Sequence, residues 1–168
     1  SWGKKADVVY SPVGDRAQTA SEDKTARMWD AKGRPLATLV GHEGGVVGAV
    51  FSPDGSRILT ASWDKTARLW TADGKPFATL AGHCPPGPRY GLIGCGVSSA
   101  MFSPAGDRIL TASGDKTARL WTAEGRPLAT LTGHTKAVMD AFFSPAGDRI
   151  LTASQDKTAR LWTADGEP

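Results

Sequence analysis

Between Val46 and Ala81 the chain switches between short runs rich in Val, Ile, Leu and Thr and clusters of Gly, Pro, Asp and Ser, with a turn signal about every eight to twelve residues. The first run, Val46 to Phe51, stops at Ser52-Pro53-Asp54-Gly55. Arg57 to Ser62 follows, closed by the tight turn Trp63-Asp64-Lys65. Then come Thr66 to Thr71, the turn Ala72-Asp73-Gly74, and a last run from Pro76 to Ala81. Runs of this length between turn residues predict strands, and four of them in series predict an antiparallel meander. One sheet of this size cannot bury both of its faces, so it must stack against others.

The chain supplies the others itself. Phe51 to Pro76 recurs as Phe102 to Pro127 and as Phe143 to Pro168, and Tyr10 to Pro35 is a more diverged copy. The last two copies differ only at Gly114/Gln155, Glu124/Asp165 and Arg126/Glu167. Equivalent tryptophans are Trp29, Trp70, Trp121 and Trp162, and the wider middle interval marks an insertion between Cys84 and Cys95. A repeat of this period predicts an all-β ring of small sheets. The fourth copy ends at Glu167-Pro168, where its outer strand should begin, so fifteen strands are expected, with no N-terminal segment long enough to act as a sixteenth.

Gly-His, then Phe-Ser-Pro-Asp-Gly, then Ser-x-Asp-x-Thr-x-x-Leu-Trp, recurring in register, resembles the WD40 repeat, of the bacterial type with near-identical copies. The resemblance covers the whole chain and implies a β-propeller with four blades, a single domain over 1–168. The blades run over about 1–40, 41–81, 82–132 (with a ten-residue loop insert within 84–95) and 133–168. It also implies a hydrogen-bonded set of His, Thr, Asp and Trp in each blade. These sets are His42, Thr60, Asp64, Trp70; His83, Thr111, Asp115, Trp121; and His134, Thr152, Asp156, Trp162. Ser62 shares a strand face with Thr60 and is the alternative hydroxyl. The first copy has Ser1 in place of histidine, which leaves its set of Thr19, Asp23 and Trp29 incomplete.

Composition adds exclusions. Gly 20 and Pro 11 suit many tight turns, and a formal net charge of +3, spread along the chain, gives no nucleic-acid footprint. No run is long enough to cross a bilayer, so the chain reads as soluble and cytoplasmic, with neither nucleic acid nor membrane as partner. His, Asp and Thr could suggest a catalytic triad, but a set repeated three times reads as a structural unit. No glycine loop is built to cradle phosphate, and no cofactor is implied. Cys84 and Cys95 are expected to be free thiols, with a disulfide as the alternative and a metal site with His83 a distant third.

The copies diverge where partners would bind. The residue before the turn aspartate is Glu22, Trp63, Gly114 or Gln155. In proteins of the resembled family this position lies on the face that carries the loops between outer and inner strands. Trp63 is the first candidate for a binding anchor, flanked by Glu22 and Gln155, and the insert offers Arg89, Tyr90, Leu92 and Ile93. The expected function is a non-enzymatic scaffold for protein–protein interaction. The alternatives are a fragment of a longer repeat protein acting as a sensing domain, and an enzyme using the central channel near Asp7 and Asp140. Four blades are few for a closed ring, so a homodimer of eight blades is expected.

Overall fold

In the computed structural model, residues 8–84 and 94–168 are described. They form fifteen strands in four antiparallel sheets, and among them there is no helix. The first sheet is β1 (Val8–Tyr10), β2 (Arg16–Ala20), β3 (Thr25–Asp30) and β4 (Pro35–Val40). The second is β5 (Val46–Phe51), β6 (Arg57–Ser62), β7 (Ala67–Thr71) and β8 (Pro76–Leu80). The third is β9 (Val97–Phe102), β10 (Arg108–Ser113), β11 (Ala118–Thr122) and β12 (Pro127–Leu131), and the fourth is β13 (Val138–Phe143), β14 (Arg149–Ser154) and β15 (Ala159–Thr163). Each sheet is a meander in chain order, and the inner strands β1, β5, β9 and β13 follow one another around an axis, as in a propeller.

Local chemistry sets the strand ends. Thr66, expected to open a strand, lies just before β7, where its N–H and hydroxyl both donate to Asp64 Oδ1. The outer strands begin at Pro35, Pro76 and Pro127, which lie opposite Trp29, Trp70 and Trp121, where the register shifts. Proline has no N–H to give to the ladder, so regular pairing starts only beyond it.

The core lies between sheets, not within them. One face of the second sheet presents Leu59, Ala61, Ala67, Leu69 and Leu80 to Val97, Phe102, Ile109 and Trp121 of the third. The third sheet presents Leu110, Ala112, Ala118, Leu120 and Leu131 to Val138, Ala141, Phe143, Ile150 and Trp162 of the fourth. Between first and second sheets, Ala20, Ala26, Met28 and Leu39 meet Val46, Ala49, Phe51, Ile58 and Trp70. The same joint is thus built three times, a leucine–alanine face against an aromatic–isoleucine face. Each joint also carries a polar latch, in which Arg16, Arg57 and Arg108 donate to the carbonyls of Ala72, Ala123 and Ala164 in the next sheet.

Candidate functional site

Within each of the last three sheets, a buried histidine links the turn to the third strand. His42 Nδ1 donates to Asp64 Oδ2 at 2.7 Å, while its Nε2 lies 2.7 Å from Thr60 Oγ1, which also accepts the Trp70 indole N–H at 2.9 Å. With the indole donating to Thr60, the hydroxyl proton goes to Nε2, and every polar atom of the set has a partner. His83 with Asp115, Thr111 and Trp121 repeats the arrangement at 2.9, 2.8 and 2.9 Å. His134 with Asp156, Thr152 and Trp162 does so at 2.8, 2.8 and 3.0 Å. The alternative hydroxyl, Ser62, does other work: it donates to the Gly44 carbonyl and accepts from the Asp64 N–H.

Burial works against the charged form of Asp64. Hydrogen bonds from His42, Thr66 and the Glu43 N–H outweigh it and hold the carboxyl well below the usual carboxylate range. Asp115 balances in the same direction, burial being overcome by His83, Thr117 and the Cys84 N–H. At Asp156 the hydrogen bond from Thr158 is the main lowering influence. In the first sheet, Trp29 still donates to Thr19, at 3.1 Å, but Asp23 pairs with Arg27 at 2.8 Å. Ser1 and Asp7 lie outside the described residues.

These histidine sets are closed to substrate: His42, His83 and His134 are buried, and so are Thr60, Thr111 and Thr152. No group of three or more His, Cys, Asp or Glu side chains among the described residues could hold a metal. The open geometry lies above them. A groove of about 940 Å³ runs across the turns of the second, third and fourth sheets, bordered by Trp63, Gly96, Lys116, Lys136, Met139 and Gln155 among others. Trp63 is 54% exposed at its rim. Gly96 makes this placement possible, since a Cβ there would lie 3.0 Å from both the Trp63 Cα and Cδ1.

The family model for the WD domain, G-beta repeat, matches residues 33–71, 74–122 and 125–163. The chain belongs to the WD40 repeat family. Each match in this WD40 chain starts in a third-to-fourth-strand turn and ends on the third strand of the next blade, one strand out of phase with the sheets. The unmatched residues before 33 hold the first three strands of the blade whose histidine set is incomplete.

Of the expected binding residues, the WD40 blades bring Trp63 and Gln155 to one groove. Glu22 is exposed one blade away, beside Gly45. Arg89, Tyr90, Leu92 and Ile93 lie outside the described residues. Lys116, Lys136 and Met139 also border the groove. The repeat hides Lys116, which recurs as Lys24, Lys65 and Lys157, while Lys136 falls in a connection and Met139 at a β13 position that both vary between copies.

Cys84 and Cys95 form a disulfide, which corrects the expectation of free thiols. Ten residues separate them in sequence, but the insert leaves and rejoins the blade beside the same turn. Cys84 N–H donates to Asp115, and the Cys95 carbonyl accepts from Ser113. The returning segment also explains the glycine at 114, since a Cβ there would collide with the Gly94 carbonyl oxygen. Alkylation under native, non-reducing conditions should therefore add no mass to the chain, and after reduction and unfolding it should add two adducts. One or two adducts before reduction would show the bond to be absent.

Proposed function

We propose that this WD40 propeller is a non-enzymatic scaffold that holds a protein or peptide partner on its loop face, in the groove bordered by Trp63. WD40 domains generally serve as protein-interaction scaffolds, and the observation that carries the finer reading is the exposed indole at the rim of an open groove. Trp63 offers a large contact area at small entropic cost, Met139 lines the same trough, and Lys116 and Lys136 add positive charge without a carboxylate among the described bordering residues. That chemistry suits a segment carrying an apolar side chain next to an acidic one. The assembly in this reading is a homodimer. Among the described residues no helix is long and apolar enough to cross a membrane. The Cys84–Cys95 bond weighs against the cytoplasmic setting expected from composition, because such bonds persist in oxidising surroundings.

The test uses a partner captured by cross-linking to the intact chain and identified by mass. Trp63→Ala should weaken its binding at least tenfold, the scale of an anchor residue, with the unfolding midpoint unchanged. Removal of the insert between Cys84 and Cys95, down to the length of the His134 to Phe143 connection, should leave the fold intact. Full affinity in both variants would remove the partner from this face. Central-channel catalysis gains little from the geometry: Asp140 is exposed on β13, and its proposed companion Asp7 lies outside the described residues.

A further inference from the structure

The connection into the third blade is built like those into the second and fourth, but with its chain interrupted. In the second blade the residue after the buried histidine, Glu43, gives its N–H to the turn aspartate, and the next residue, Gly44, accepts the Ser62 hydroxyl on its carbonyl. In the fourth blade the adjacent pair Thr135 and Lys136 makes the same two bonds, to Asp156 and from Ser154. In the third blade Cys84 gives its N–H to Asp115, and the Cys95 carbonyl accepts the Ser113 hydroxyl. Cys84 and Cys95 thus hold the places of two neighbours with ten residues inserted between them. The disulfide supplies the short covalent link that a peptide bond supplies in the other two blades. The alignment holds on either side, since His83 precedes the pair and Gly96-Val97 follows it, as His42 and Gly45-Val46 do in the second blade.

This splice stands at the wall of the groove. Gly94, Gly96 and Gly114 all border the groove, and Cys95 is fully buried between the first two. The Gly96 carbonyl accepts the Gly114 N–H at 3.1 Å, and Gly96 lies directly against Trp63. From the other side Trp63 is held by Gly45, whose carbonyl accepts its N–H at 3.0 Å. One side of the indole's seat is therefore carried by an uninterrupted chain and the other by the disulfide.

We propose that the Cys84–Cys95 bond is a redox-sensitive clamp on the groove, closed when oxidised and released by a dithiol; what it regulates rests on the groove reading. The exchange starts at Cys84, which is partly exposed, whereas Cys95 is fully buried. One thiolate of the dithiol attacks Cys84 Sγ, the S–S bond breaks, and the Cys95 thiolate leaves and takes a proton. The dithiol's second thiolate then attacks the dithiol's own sulfur in the mixed disulfide and expels the Cys84 thiolate, which takes a second proton. The dithiol ends as its disulfide, and the chain gains two electrons and two protons. With the bond open, Cys95 and Gly96 are joined to Cys84 only through the ten-residue insert. The bonds from Ser113 to Cys95 and from Gly114 to Gly96 must then close that loop against chain entropy. Cys84 keeps its bond to Asp115 and His83 keeps its set, so the loosening is confined to the wall and the seat of Trp63.

The experiment is amide exchange followed by NMR on the intact chain, before and after dithiothreitol under native conditions, with reduction verified by alkylation. It needs no partner, so its failure leaves the groove reading standing, and that reading is decided by the Trp63→Ala binding test. Reduction should speed exchange of the Gly114 amide by about tenfold or more. It should also move the Trp63 indole N–H resonance, assigned by its absence in Trp63→Phe. The Gln155 amide, which donates to Ala137 across the uninterrupted connection of the fourth blade, should keep its rate. Cys84→Ser combined with Cys95→Ser should show the fast Gly114 rate with and without dithiothreitol. Removal of residues 85–94 with Cys84→Thr and Cys95→Lys writes the Thr135-Lys136 link into the third blade, and should restore the slow rate and ignore the reductant. A bond that dithiothreitol cannot open in the folded chain, or a Gly114 rate or Trp63 resonance indifferent to reduction, overturns the clamp. So does a rise at Gly114 and Gln155 together, or a spliced chain that exchanges as fast as the reduced protein.

Discussion

Replacing Asp115 by alanine should cost the protein about 3 kcal/mol and lower its unfolding midpoint by about 6 to 12 °C. Asp115 is the best enclosed of the three turn aspartates. Its Oδ2 accepts from His83 Nδ1 and from the Cys84 N–H, and its Oδ1 accepts from the Thr117 N–H and hydroxyl. Without the carboxylate, a buried imidazole N–H and a loop N–H lose their acceptor at once, and unmade bonds of buried groups are what make such losses large. Differential scanning calorimetry of the variant beside the wild type measures the effect. An unchanged midpoint would mean that the histidine sets do not hold the blades together.

The same carboxylates set an acid limit, and its sign follows from the direction of their shifts. Asp64, Asp115 and Asp156 titrate below the ordinary carboxylate value when folded. Their contribution is therefore complete above about pH 4, the unfolded value, and is lost as pH falls from there towards the folded values. Stability measured by denaturant titration should decline below about pH 4, and the gap between wild type and Asp115→Ala should narrow over the same range. A gap that stays constant down to pH 2 would detach the acid limit from this aspartate.

The architecture was legible because repetition multiplies weak signals. A single Ser-Pro-x-Gly turn says little, but four in register set the strands, their order and the number of sheets. The histidine sets draw on the residue types that the resemblance names, and in each complete blade hydrogen bonds link His, Thr, Asp and Trp. The disulfide was not legible. Two cysteines with ten residues between them can pair only if the insert returns beside its start, where Asp115 accepts from the Cys84 N–H and Ser113 donates to the Cys95 carbonyl. Nor could Gly114 be distinguished from a neutral difference between copies until the Gly94 carbonyl was found against it. Repetition also conceals: Lys116 is one of four identical turn lysines in the sequence, yet the groove makes it differ from the other three.

The first blade also contains a residue that the repeat would not choose. Gln18 lies on β2 at the position of Leu59, Leu110 and Leu151, on the face buried against the second blade. It is fully buried, and neither Nε2 nor Oε1 has a hydrogen-bond partner among the described residues. Val9 and Met28 flank it across the sheet, and the facing surface is the aromatic–isoleucine side of the next blade. A buried amide left unsatisfied costs about 1 to 3 kcal/mol, and leucine, of similar volume, already fits the equivalent place in the joints below the second and third blades. Gln18→Leu should therefore stabilise the chain by about 1 to 3 kcal/mol, raising the midpoint by roughly 2 to 12 °C. Gln18→Glu should destabilise it by more than the leucine stabilises it, because a carboxylate brought to the same place has no cation to meet. Chemical denaturation of the three proteins decides the matter. A leucine variant no more stable than the wild type would show that the amide is satisfied in solution by a bound water.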